Sequence, residues 1–177
     1  MKILIPELAD TARLGAVLAD LILSGQGWPP SGLILLQGGL GAGKTTLVRH
    51  LVENLPGGHT SEVCSPSFTL CNAYACEPPV LHFDLYRLEV WQDGEDLIEA
   101  LQMAENGDLL LLVEWPERMK EGLLPPEFLH CSLSGEGQTR TATFKCVVPG
   151  QDFLRALAVA AEQAGLEIVG SSQIEQN

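Results

Sequence analysis

The chain has 177 residues, 46% of them hydrophobic and 19% charged, which suits one globular domain around a single core and excludes a disordered polymer. Ten basic residues against 23 acidic ones give a formal net charge of −13. No basic stripe is available to neutralise phosphates, so firm unaided binding to nucleic acid is disfavoured.

No apolar run approaches the roughly 18 residues of a membrane span. The opening Met1-Lys-Ile-Leu-Ile-Pro6 lacks the apolar segment and cleavage site of a signal peptide. The cysteines Cys64, Cys71, Cys76, Cys131 and Cys146 form no C-x-x-C pair and are odd in number. Reduced thiols in a cytoplasmic protein fit this better than a disulfide frame or a zinc site.

In chain order, residues 8–24 read as a helix with Asp10 or Thr11 as its cap. Leu14, Val17, Leu18 and Leu21 line one face, and Gly25 can stop it. A loop through Trp28-Pro29-Pro30 leads to the apolar run Leu33-Ile34-Leu35-Leu36-Gln37, a buried strand. Gly38-Gly-Leu-Gly-Ala-Gly43-Lys44-Thr45-Thr46 follows and fits G-x-x-x-x-G-K-[ST]. Behind it, Val48, Leu51, Val52 and Leu55 mark one face of a helix.

Strand, glycine loop and helix are the setting of a phosphate-binding loop. Its N–H groups and the helix dipole face an anion, with Lys44 reaching the β- and γ-phosphates and the Thr45 hydroxyl ligating Mg²⁺. The chain is therefore read as a nucleoside triphosphate binder. Cofactor contacts are assigned to Gly39, Leu40, Gly41, Ala42, Gly43, Lys44, Thr45 and Thr46.

Pro56-Gly57-Gly58 breaks the pattern, and residues 59–66 read as a surface loop. Residues 67–74 partly alternate and read as a strand, and residues 80–86 as a second. Their short link predicts an antiparallel pair, hence a mixed sheet. A helix over 93–104 turns Leu97, Ala100, Leu101 and Ala104 inward, and residues 109–113, Leu-Leu-Leu-Leu-Val, read as a central strand. A short helical segment runs to about Glu121. Residues 128–134 and 139–148 make a hairpin, and Pro149-Gly150 opens a last helix with Leu154, Leu157, Ala158 and Ala161 on one face. One domain is expected over 1–165, with 166–177 a flexible tail.

A phosphate-binding loop needs an acidic partner for Mg²⁺ and a group to orient water. Asp84 and Glu114 each close an apolar strand, where a carboxylate is delivered to the carboxyl edge of the sheet. Either can be the metal ligand, and both are candidate catalytic residues with Lys44. Trp115 can stack beside the site or serve as a hydrophobic anchor. Ser65-Pro66-Ser67 and Thr69 offer hydroxyls in a loop that nucleotide binding could order. Tyr86 and Arg87 could bind a phosphate or a partner.

The blocks Gly39 to Thr46, Ser65-Pro-Ser-Phe-Thr-Leu70, His82-Phe-Asp-Leu-Tyr-Arg-Leu88 and Val113-Glu-Trp-Pro-Glu117 occur in an order and spacing that resembles the TsaE family. That family supplies the ATPase subunit of bacterial tRNA threonylcarbamoyladenosine biosynthesis. The resemblance implies a P-loop NTPase-like three-layer α/β domain with a mixed sheet. It implies ATP at the loop, Thr45 and Glu114 at Mg²⁺, and Asp84 near the γ-phosphate or the attacking water. Thr11, and Arg140 in the late hairpin, would lie toward the adenine. It implies partners TsaB and TsaD, with tRNA reached through them: TsaD modifies adenosine 37 of tRNAs reading codons that start with A, and ATP hydrolysis resets the complex. Gly39 stands where the family usually has Asp, and Ser67 where it commonly has Thr.

Against a weak, partner-dependent ATPase stands a small-molecule kinase, which usually supplies lid arginines; only six arginines occur here, scattered singly. A GTP switch lacks its Asn-Lys-x-Asp guanine reader. A non-hydrolysing regulatory binder is the fourth reading.

Overall fold

The computed structural model describes residues 1–24, 29–89, 94–120, 122–135, 139–146 and 151–169. Its strands are β1 (Lys2–Ile5), β2 (Leu33–Gln37), β3 (Cys71–Tyr74), β4 (Val80–Asp84), β5 (Leu110–Glu114), β6 (Leu129–Ser134), β7 (Arg140–Cys146) and β8 (Ile168–Val169). They form one sheet in the order β3-β4-β5-β2-β6-β7-β1-β8. The centre, β4-β5-β2-β6, is parallel, and the flanking pairs are antiparallel. This is the mixed sheet expected from the short link between β3 and β4.

Among the described residues four α-helices cover the sheet: α1 (Leu8–Leu23), α2 (Lys44–Asn54), α3 (Glu95–Glu105) and α4 (Gln151–Gln163). Alternation along the strands sorts their side chains into two cores. Ile34, Leu36, Leu110 and Leu112 pack with α1, α2 and α4, whereas Leu33, Leu35, Leu111 and Val113 pack with α3. All five residues of β5 are buried, as a strand covered on both faces requires. The result is a three-layer α/β domain.

Several local expectations need correction. Asp10 and Thr11 lie inside α1. Glu7 occupies the N-cap, and its N–H donates to the Asp10 carboxylate at 3.0 Å, as in a capping box. The expected stop at Gly25 lies outside the described residues. Residues 67–70 are a turn closed by the Leu70 N–H on the Pro66 carbonyl, with Leu70 at φ 66°, so only Cys71–Tyr74 form the strand. β4 stops at Asp84, two residues before the expected end.

The segment after Trp115 is a single 3-10 turn, Pro116–Arg118. In α4 the buried face includes Phe153 with Leu157 and Ala161, whereas Leu154 and Ala158 are half-buried. Residues 166–169, expected in the tail, are packed: Leu166 is buried, and Ile168–Val169 pair with β1. β1 itself carries no long apolar run, so the sequence gives no local sign of a strand there. No helix among the described residues is long and apolar enough to cross a membrane.

Candidate nucleotide-binding site

β1, β2, β4, β5 and β6 all point the same way through their pairings, so their carboxyl ends share one edge of the sheet. At that edge β2 runs through residues 38–43 into α2 at Lys44. Two positions in this loop demand glycine. Gly38 has φ +152°, and a side-chain carbon there would meet the Leu133 carbonyl oxygen at 2.5 Å. Gly43 takes φ 100°, a left-handed step into the first helical residue. The first turn of α2 brings free N–H groups and the positive end of its dipole to the loop.

Lys44 is nearly fully buried. Its ammonium donates to the carbonyls of Gly38 at 2.8 Å and Gly39 at 3.1 Å, and sits 4.1 Å from the centre of the Trp115 ring. Burial pushes its pKa below the ordinary lysine value, and the negative charges of Glu114, Asp84 and Glu117 offset part of that. Among the described residues no carboxylate forms an ion pair with this buried cation, which is held instead by two carbonyls and an aromatic face.

The two carboxylates arrive together. Asp84 ends β4 and Glu114 ends β5, and the register pairs them directly. Glu114 is 2% exposed and Asp84 3%. The Thr45 hydroxyl donates to Glu114 Oε1 at 2.7 Å, tying the start of α2 to the end of β5. Asp84 accepts from the Ser65 hydroxyl through Oδ2 and from the Tyr86 N–H through Oδ1 at 3.0 Å.

After Glu114 the chain turns sharply. Trp115 adopts φ 59°, ψ 51°, an uncommon conformation for a bulky residue. The turn is anchored by the Trp115 N–H on the Leu36 carbonyl at 3.2 Å, and it sets the indole against Lys44 and Tyr86, whose ring lies 5.0 Å away.

Together these elements form a cleft of about 380 Å³. Residues 40–46 make one wall, and Ser65, Ser67, Asp84, Tyr86, Arg87, Glu114 and Trp115 the other. The predicted residues Leu40, Gly41, Ala42, Gly43, Lys44, Thr45, Thr46, Asp84, Glu114 and Trp115 are thus brought together. Gly39 contributes its carbonyl to Lys44 without lining the cleft.

Thr11 and Arg140 do not line it either. Arg140 begins β7 opposite Ile5, and Thr11 lies in the first turn of the helix that follows β1, so both sit farther along the same sheet edge. Sequence reasoning missed His82 as a site residue. It is fully buried, with Nε2 3.0 Å from Glu114 Oε1. The available signal was the period of two, which puts His82 and Asp84 on the same face of β4.

Comparison with known proteins bears on this constellation. The family model described as "Threonylcarbamoyl adenosine biosynthesis protein TsaE" matches residues 5–142. The tRNA threonylcarbamoyladenosine biosynthesis protein TsaE of Synechocystis sp. is 39% identical over 123 residues, 68% of this chain and 73% of that protein. Its counterpart in Nostoc sp. is 32% identical over 162 residues, 83% of this chain and 88% of that protein. The crystal structure of Bacillus subtilis YdiB superposes with a TM-score of 0.68 at 26% identity, covering 92% of this chain and 95% of that one.

Proposed function

The chain belongs to the TsaE family, the threonylcarbamoyl adenosine biosynthesis proteins, and on that premise we propose that it is a Mg²⁺-dependent ATPase of tRNA threonylcarbamoyladenosine formation. In this reading it is cytoplasmic, weakly active alone, and acts on a TsaB–TsaD complex that modifies adenosine 37 of tRNAs reading codons that start with A. The formal charge of −13 supports contact with tRNA through those partners, because this chain has no cationic surplus to hold a phosphate backbone.

One observation carries the reading: the Thr45–Glu114 hydrogen bond of 2.7 Å, with Asp84 in register beside it, sets two carboxylates against a glycine loop and its lysine. The phosphate chain is assigned to the N–H groups of residues 39–46, and Lys44 exchanges the Gly38 and Gly39 carbonyls for phosphate oxygens. Thr45 and Glu114 are adjacent hard oxygen donors, the chemistry that suits Mg²⁺. When bound, that ion neutralises charge on the β- and γ-phosphates.

Asp84 is assigned to orient the attacking water. Both its oxygens are held by donors of this chain, Ser65 and the Tyr86 N–H, so its direction is fixed before substrate arrives. Trp115 covers Lys44 and limits water around the ammonium. Thr11 and Arg140, on the same sheet edge, are assigned to the adenine side.

Calorimetric titration with ATP, with and without Mg²⁺, followed by phosphate release with and without TsaB and TsaD, tests the proposal. Mg²⁺-linked binding and partner-stimulated turnover are expected, both lost in Lys44→Ala. Failure of the parent to bind ATP, or unchanged binding and turnover in Lys44→Ala, would overturn it.

A further inference from the structure

The core behind Glu114 contains an imidazole that the proposed chemistry does not use. His82 is fully buried, on the face of the sheet covered by α1, α2 and α4, beside Leu112 in the β4–β5 register. Burying an imidazole among aliphatic side chains is unfavourable unless both ring nitrogens find partners. Here both do. Nε2 lies 3.0 Å from Glu114 Oε1, and Nδ1 lies 3.5 Å from the Tyr74 hydroxyl.

The donor and acceptor roles follow. A carboxylate only accepts, so Nε2 carries the hydrogen and donates to Glu114, while Nδ1 faces the Tyr74 hydroxyl. The Tyr74 hydroxyl accepts from Asn72 Nδ2 and donates to the Cys64 carbonyl, both at 3.4 Å. Cys64 precedes Ser65, whose hydroxyl holds Asp84. Two separate chains of hydrogen bonds therefore run from residues 64 and 65, one to each carboxylate of the cleft.

Thr45 and His82 both donate to the same oxygen, Oε1. Two donors on one oxygen restrain the carboxylate more than a single bond from Thr45 would. Glu114 has three side-chain torsions to restrict, and the ring of His82 is itself locked by Tyr74.

We propose that His82, backed by Tyr74, is a positioning residue that holds the Glu114 carboxylate beside Thr45 and thereby sets how strongly the site binds the divalent cation accompanying a nucleoside triphosphate. This rests on the ATP–Mg²⁺ reading of the cleft. Partners behind a metal-binding side chain typically change metal affinity by about 10–100-fold when removed.

The test is equilibrium binding of a fluorescent ATP analogue, measured with saturating Mg²⁺ and with a chelator; the ratio of the two affinities is the gain due to the cation. His82→Leu is expected to lower that ratio about tenfold or more. It should leave the metal-free affinity unchanged, because Lys44 and the loop N–H groups are untouched. His82→Gln, whose side-chain amide can donate in place of Nε2, is expected to keep most of the gain.

Equal loss of the gain in both variants, or no loss in His82→Leu, overturns the proposal. Should His82→Leu fail to fold, Tyr74→Phe decides. It removes one hydroxyl, and a reduced gain with an intact melting transition supports the relay, whereas an unchanged gain sinks it. Absence of any Mg²⁺-linked gain in the parent would overturn the ATP–Mg²⁺ reading and this role together. A parent with the gain and a His82→Leu variant that keeps it would overturn the positioning role alone.

Discussion

Replacing Glu114 by glutamine and by alanine separates its chemistry from its place in the core. In the folded chain Glu114 Oε1 accepts from the Thr45 hydroxyl and from His82 Nε2, at 2.7 and 3.0 Å. Alanine removes the acceptor from both. His82 is fully buried and Thr45 half-buried, and each buried donor left without a partner costs about 1–3 kcal/mol. Glu114→Ala should therefore lose about 2–6 kcal/mol, which for a chain of this size lowers Tm by about 4–24 °C.

Glutamine keeps a carbonyl oxygen for the same two donors and relieves the crowding of two carboxylates in register. Its stability should stay within about 1 kcal/mol of the parent. Turnover should behave differently. Both substitutions remove the proposed anionic ligand, and on that proposal forfeiting even part of the several kcal/mol a metal ion contributes to a developing charge should slow turnover about a hundredfold. Thermal melts in chelator and phosphate-release assays across a Mg²⁺ series give the two readouts. A glutamine variant that turns over ATP like the parent, or an alanine variant as stable as the glutamine one, would refute the reasoning.

Three further outcomes follow from other parts of the structure. Burial holds the pKa of Lys44 below its ordinary 10.5, so between the folded value and 10.5 the unfolded chain binds more protons and this residue's contribution to stability rises with pH. Melting curves of parent and Lys44→Met from neutral pH to 10.5 should differ by that slope, and the opposite sign would contradict it. At Gly15 an added side-chain carbon meets His50 Cβ at 2.5 Å and the α2 backbone at 2.8 and 2.9 Å. Gly15→Ala should thus push α1 from α2 and cost about 1–3 kcal/mol in chemical denaturation. Burial pushes the Cys71 and Cys146 thiols up to about 11 and raises that of the fully buried Cys131, whereas Cys64 is exposed. Alkylation followed by peptide mass mapping should label Cys64 first.

The parts of this fold legible in the sequence are those where one physical signal dominates. The run through Leu33 to Leu36 and the run into Val113 are apolar because both faces of β2 and β5 are covered. The glycines, Lys44 and Thr45 match a phosphate-loop spacing, and the apolar run before it and the helical periodicity behind it supply the strand–loop–helix setting that gives the pattern meaning. Asp84 and Glu114 could be picked out because each ends such a strand, although their direct pairing depends on the β4–β5 register.

What stayed hidden depends on distant contacts. β1 and β8 are four and two residues long and gain their partners only from β7 and from each other, so no local periodicity marks them. The turn at residues 67–70 looks like strand because Phe68 and Leu70 alternate with polar residues. The bond from the Leu70 N–H to the Pro66 carbonyl closes it instead, and Phe68 is left 82% exposed under the Arg87 guanidinium. His82 reads as an ordinary residue of an apolar strand. Its position between Tyr74 and Glu114 exists only once β3, β4 and β5 lie side by side.

The central claim is that residues 38–45 cradle a triphosphate whose cation is held from Thr45 and Glu114. A crystal structure of the protein with Mg²⁺ and a non-hydrolysable ATP analogue tests it most directly. The phosphates should lie against the loop N–H groups, with Lys44 drawn off the Gly38 and Gly39 carbonyls and the cation facing Thr45 and Glu114. Nucleotide bound elsewhere, or a cation seated in the loop with Glu114 turned away from it, would contradict the claim.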